Sequence, residues 1–165
     1  KKDTSFDKIS VTFYEDTYSL YNLYRFAHYY EEAYGKYIWL KSGASLVIEH
    51  TEAMTVIDVN TGSVLKKKRQ EDTLFYQINR EAAKEIARQI RLRNISGIIM
   101  IDFINMKDEK QKEKLLLLLE NECRKDRIHC NVVDMTALNL VEMTRSKVRR
   151  PLLEQITVCR KMQKN

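Results

Sequence analysis

Apolar and polar positions alternate along this chain with two periods, and each change of period marks a change of element. Period two governs Thr55-Val56-Ile57-Asp58-Val59-Asn60, the signature of a half-buried strand. A period of three to four governs Phe75, Ile78, Ala82, Ile86 and Ile90, which lays an apolar stripe along a helix over Glu71–Arg93. Residues 9–14 read as a short strand and 18–34 as a helix. Residues 37–40 and 45–48 read as strands joined by a Lys41-Ser42-Gly43 turn, and 54–59 as a third. Gly97 opens a fully apolar strand, 98–101, which ends in Asp102. Asp108 can cap a helix running to about Arg124, and 131–135 and 140–143 read as two further strands. Pro151 punctuates a basic C-terminal tail. Strands alternating with helices predict an α/β class, a mixed sheet flanked by helices.

Composition narrows the picture. A chain of 165 residues fits one ordinary domain or a pair of closely packed subdomains. Its apolar runs fall far short of the ~20 residues that a membrane span needs, and no secretory pattern opens it. Four glycines and one proline are few, and neither GxGxxG nor GxxxxGK[ST] occurs, so the two commonest nucleotide-binding loops are excluded. The three cysteines, Cys123, Cys130 and Cys159, form no CxxC pair, which suits free thiols in a reducing compartment. The helix over 18–34 carries six tyrosines beside Leu20, Leu23, Phe26 and Ala27, a spacing that suits a core or interface better than a base-stacking platform.

Net charge is +6, and its distribution says more than its size. Basic residues gather at Lys66-Lys67-Lys68-Arg69, at Arg88/Arg91/Arg93, and at Arg145/Lys147/Arg149/Arg150 running on to Arg160, Lys161 and Lys164. Three clusters on one small basic chain point to a polyanionic partner. Two carboxylates stand where strands should be apolar. Alternation puts Asp58 and Asn60 on one strand face, and Asp102 ends a run that belongs in a central strand. Acids at neighbouring strand ends would make an oxygen-rich site for Mg²⁺; the bland alternative is a helix cap or a buried ion pair for each. His28, His50 and His129 form no HxxxH or HxE pattern, so zinc catalysis has no ligand set.

The blocks Trp39-Leu40-Lys41-Ser42-Gly43 and Thr51-Glu52-Ala53-Met54-Thr55-Val56-Ile57-Asp58-Val59-Asn60-Thr61-Gly62 closely resemble the catalytic core of bacterial ribonuclease E/G. So do Asn79-Arg80-Glu81-Ala82-Ala83 and the helix beyond it, Gly97-Ile98-Ile99-Met100-Ile101-Asp102-Phe103-Ile104, Lys125-Asp126-Arg127 and Leu140-Val141-Glu142-Met143-Thr144-Arg145. The resemblance implies that residues 37–150 form a DNase I-like catalytic subdomain. Residues 1–36 would be a strand-helix remnant of an RNase H-like subdomain, and 151–165 a basic tail with a degenerate zinc-link. It further implies an endoribonuclease that cuts single-stranded RNA and leaves a 5′-phosphate product, with Asp58 and Asp102 as metal ligands and Asn60 as the supporting catalytic residue.

Some positions depart from the family pattern. Met162 stands where the second zinc-link cysteine belongs after Cys159, so zinc is not expected and any self-association would use an apolar or aromatic surface. Asn105 and Ala44 replace a usual aspartate and glycine, and the family's oligonucleotide-binding domain and 5′-monophosphate pocket have no counterpart in these residues. The chain therefore looks like a piece or a reduced relative of the full enzyme. The expectation is a cytoplasmic, Mg²⁺-dependent endoribonuclease core with no membrane partner and no small-molecule cofactor. Its RNA backbone contacts would come from Arg145, Lys147, Arg149 and Arg150. The rival is a non-catalytic RNA-binding or assembly module that keeps the fold.

Overall fold

Strand residues that alternate between buried and open positions dictate a sheet with one covered face. In a computed structural model, which describes residues 10–62 and 71–162, six strands form it. They are β1 (Tyr37–Trp39), β2 (Ser45–His50), β3 (Met54–Asn60), β4 (Gly97–Asp102), β5 (Cys130–Met135) and β6 (Leu140–Arg145), in the order β1-β2-β3-β4-β6-β5. β3 and β4 run parallel and the remaining neighbours antiparallel, so the sheet is mixed. The parallel pair needs a crossover, and α3 (Glu71–Arg93) supplies it.

Register lines the buried residues up across the sheet: Ile48 faces Ile57, Ile57 faces Ile101, and Ile101 faces Val141. Residues opposed in neighbouring strands share a face. On that face Ile78, Ala82, Ile86 and Ile90 of α3 pack into one core with Leu115, Leu119 and Cys123 of α4 (Glu109–Cys123). Each fully buried isoleucine or leucine contributes about 1.5–3 kcal/mol of transfer free energy. Asp108 caps α4 as its sequence predicts, its side chain accepting from the Lys110 backbone N–H. The opposite face carries Val56, Asp58, Asn60, Ile98, Met100 and Asp102, none of them fully buried. Both long helices therefore flank the same side.

Three local expectations are corrected. Residues 10–14 adopt no regular structure, and residue 9 lies outside the described residues. The helix over 18–34 is broken into α1 (Leu20–Leu23) and α2 (Phe26–Tyr34), because Arg25 takes a left-handed backbone with φ +50° that interrupts the hydrogen-bond ladder. The C-terminal tail contains a helix, α5 (Leu152–Met162), entered through Pro151, where a missing N–H costs nothing. The chain divides into two compact units, 1–31 and 32–165. In the first, Tyr18, Leu20, Tyr21, Leu23, Tyr24 and Phe26 are all exposed, so this stripe serves no core. Among the described residues no helix is long and apolar enough to cross a membrane, and Cys123 and Cys130 are free.

Candidate functional site

The parallel arrangement of β3 and β4 brings their C-terminal ends together, and the register sets Asp58 directly against Asp102. Both carboxylates consequently project from the open face. Asn60, two residues after Asp58 on the same face, donates its Nδ2–H to Asp58 Oδ2 at 2.7 Å. Asp102 is held above the ordinary carboxylate range by partial burial and then by the negative charge of Asp58. The sequence suggested acids sunk in a buried strand. Here Asp58 is half-buried and Asp102 exposed, since α3 and α4 cover only the other face.

Two adjacent, mutually repelling acids, one of them already fixed by an amide, form an oxygen donor set suited to a hard divalent cation. Among the described residues no group of three or more His, Cys, Asp or Glu could hold a metal. The centre thus offers two carboxylates, with water left to complete any coordination shell. That fits a hard cation and does not fit a closed, four-ligand zinc site.

The segments around these acids are set by α3. Asn79 is fully buried; its Nδ2–H donates to the Ile104 carbonyl at 2.7 Å and its Oδ1 accepts from the Ile104 N–H at 3.0 Å. The chain leaving Asp102 is thereby fixed two residues on. Glu81, two positions further along the helix, accepts from the backbone N–H groups of Lys41 and Ser42 at 2.7 and 3.2 Å. This holds the β1–β2 turn at the same end of the sheet, because Trp39 pairs with Ser45 and Ser45 with Asn60. Gly43 in that turn has φ +88°, and a Cβ on Gly62 would stand 2.6 Å from its carbonyl oxygen. Sequence reasoning passed over Asn79 and Glu81. A signal for Asn79 was present: it falls on the apolar stripe, three and four residues before Ala82 and Ala83, and a polar residue there must find buried partners.

The basic residues are arranged differently from expectation. Arg145, anticipated as an RNA contact, is 4% exposed. Its Nε–H donates to Asp126 Oδ2 at 2.9 Å, and its Nη1 donates to Asn94 Oδ1 and the Ile95 carbonyl, both at 2.9 Å. Its place on the covered face of β6, next to Val141 and Met143 in alternation, buries it, so its role is to tie loops together. Lys147, Arg149 and Arg150 are exposed. They follow Arg145, which pairs with Gly97 at the start of β4. Asp102 ends β4 five residues later, about 16 Å along the strand at ~3.3 Å per residue. The structure therefore does not bring these cations to the acids. The second cluster is engaged internally: Arg88 bonds Glu85 at 3.0 Å, Arg91 the Glu122 carbonyl at 3.0 Å, and buried Arg93 the Gln89 side chain at 2.7 Å. Lys66 to Arg69 and the side chain of Cys159 lie outside the described residues.

Comparison with known proteins shows that the chain is similar to ribonucleases. The family model described as "Ribonuclease E/G family" matches residues 2–148. Ribonuclease G of Escherichia coli (strain K12) is 42% identical over 133 residues, which is 81% of this chain and 27% of that protein. Ribonuclease G of Haemophilus influenzae is 41% identical over 142 residues, 86% of this chain and 29% of the relative. Ribonuclease E of a Nostoc species is 42% identical over 115 residues, covering 70% and 17% respectively. The chain spans less than a third of the length of each of these relatives.

Proposed function

Because this chain belongs to the ribonuclease E/G family, we propose that it carries the hydrolytic centre of a Mg²⁺-dependent endoribonuclease that cleaves single-stranded RNA and leaves a 5′-phosphate on the downstream product. Asp58 and Asp102 are the metal ligands and Asn60 the residue that orients Asp58. The observation that carries this reading is the pairing of Asp58 with Asp102 at the open end of the parallel strands. Mg²⁺ takes one or two carboxylates and keeps several waters, which matches this donor set. On the same reading residues 37–150 are the DNase I-like subdomain and 1–36 the end of an RNase H-like one.

Bound there, Mg²⁺ would lower the pKa of an attacking water and neutralise charge on the scissile phosphate. The protein's own contribution is positional. Asn60 fixes one oxygen of Asp58, the residue set against Asp102 by the strand register, while Asn79 fixes the segment that follows Asp102. The open face, uncovered by α3 or α4, leaves room for an extended strand. Exposed Lys147, Arg149 and Arg150 supply sequence-independent, salt-sensitive phosphate contacts remote from the acids.

The test is to incubate the full chain with a labelled single-stranded RNA, with and without Mg²⁺, beside Asp102→Asn. The reading requires cleavage that needs Mg²⁺ and disappears in the variant. Binding without cleavage under every condition would replace the enzyme by an RNA-binding module.

A further inference from the structure

At the end of the sheet remote from Asp58 and Asp102, a cleft of about 590 Å³ opens between the α4–β5 connection and the segment joining β6 to α5. Arg91, Lys125, Arg127 and Arg149 line it, together with Arg145 and Asp126. Asp126 is the one acid in this lining, and it is already matched by the buried guanidinium of Arg145 at 2.9 Å. Lys125 pairs with Glu122 at 2.6 Å. Arg127 and Arg149 are exposed and have no acidic partner among the described residues. Arg124, on the same connection, is by contrast paired with Glu120 at 2.7 Å.

The backbone beneath these two arginines is held firmly. Asn94 Nδ2 donates to the carbonyls of Arg149 and Arg150 at 3.0 and 3.1 Å, and its Oδ1 accepts from Arg145. Asp126 accepts from the Ile128 N–H at 2.9 Å, which fixes the turn that carries Arg127. Two unpaired guanidinium groups lining one cleft from two separate, braced segments can recognise phosphate oxygens, because each presents a planar fork of donors. Apolar Leu92, Val148 and Leu152 complete the lining and suit the sugar and base surfaces between phosphates.

We propose that this cleft binds the sugar-phosphate backbone of single-stranded RNA as an anchor site separate from the cleavage centre, with Arg127 and Arg149 as its phosphate contacts. The identity of the polyanion rests on the ribonuclease reading above; the anion-binding character rests on the cleft itself. Neutralising both arginines removes two phosphate ligands and leaves the acids untouched.

The experiment measures binding of a labelled single-stranded oligoadenylate by fluorescence anisotropy, in EDTA and across a salt series. Arg127→Ala/Arg149→Ala should weaken binding and make the slope of log K against log salt shallower by about 0.7 for each phosphate no longer neutralised, about 1.4 in all. Arg127→Lys/Arg149→Lys, which keeps both charges, should stay near the wild-type slope. Unchanged affinity and slope in the alanine variant would overturn the proposal. So would weaker binding with the slope intact, since arginines that neutralise phosphates must change the slope when they are removed. The two readings separate cleanly: a chain that never cleaves with Mg²⁺, but whose salt slope becomes shallower in Arg127→Ala/Arg149→Ala, refutes the enzyme and keeps the cleft.

Discussion

Asn79 illustrates how one buried amide can matter more than a row of surface charges. Both of its hydrogen bonds go to the backbone of Ile104, and Asn79 itself is fully buried. Asn79→Ala leaves the N–H and C=O of half-buried Ile104 without these partners, each worth up to about 1–3 kcal/mol. Denaturant unfolding should show a loss of about 2–5 kcal/mol, well beyond that of an exposed change such as Gln77→Ala. At this scale the acids were legible in sequence, because Asp58, Asn60 and Asp102 break an otherwise apolar strand pattern. The partners of Asn79 and Glu81 were not, since each bond spans 25 to 40 residues and nothing local encodes it. Arg145 misled for the same reason: in sequence it opens a basic run, while strand alternation turns it inward onto Asp126, 19 residues earlier. Ala44 departs from the family's second glycine without strain. Gly43 takes the positive φ that the turn needs, and Ala44 does not.

Among the elements, those with an apolar face were legible and those without one were not. The α3 stripe and the strands from β2 to β6 fell within a few residues of their expected bounds, because burial on one face fixes their period. The aromatic segment 18–34 has exposed residues on every side, so no packing overrides the break at Arg25. The Arg145–Asp126 pair stitches the end of β6 to the α4–β5 turn, and it should make that junction acid-sensitive. Burial pushes the Asp126 carboxyl up, but the Ile128 N–H and the Arg145 guanidinium outweigh it and hold the group below the usual carboxylate range. The unfolded chain therefore binds the proton more readily. The stabilisation is complete above about pH 4–5 and is lost as pH falls through the folded-state value. Unfolding free energy measured from pH 7 downward should fall more steeply in the wild type than in Asp126→Asn. The variant should start lower by about 3–5 kcal/mol, because it strands a buried cation.

At the largest scale, the length of the sheet keeps the acid pair and the exposed arginines apart. The acids occupy the ends of β3 and β4 on the open face, and the exposed arginines lie beyond the opposite end, after β6. Sequence order hid this separation, because the direction in which β6 runs decides which end Arg145 reaches. The most direct measurement of the central claim is metal binding at the acid pair. Mn²⁺ shares the carboxylate preference of Mg²⁺ and reports its bound state by paramagnetic resonance. Titration of the full chain should reveal a single bound Mn²⁺ that Mg²⁺ displaces, abolished by either Asp58→Asn or Asp102→Asn and retained in Asp134→Asn on the edge strand. A bound Mn²⁺ that survives loss of Asp58 or of Asp102 would contradict the shared site.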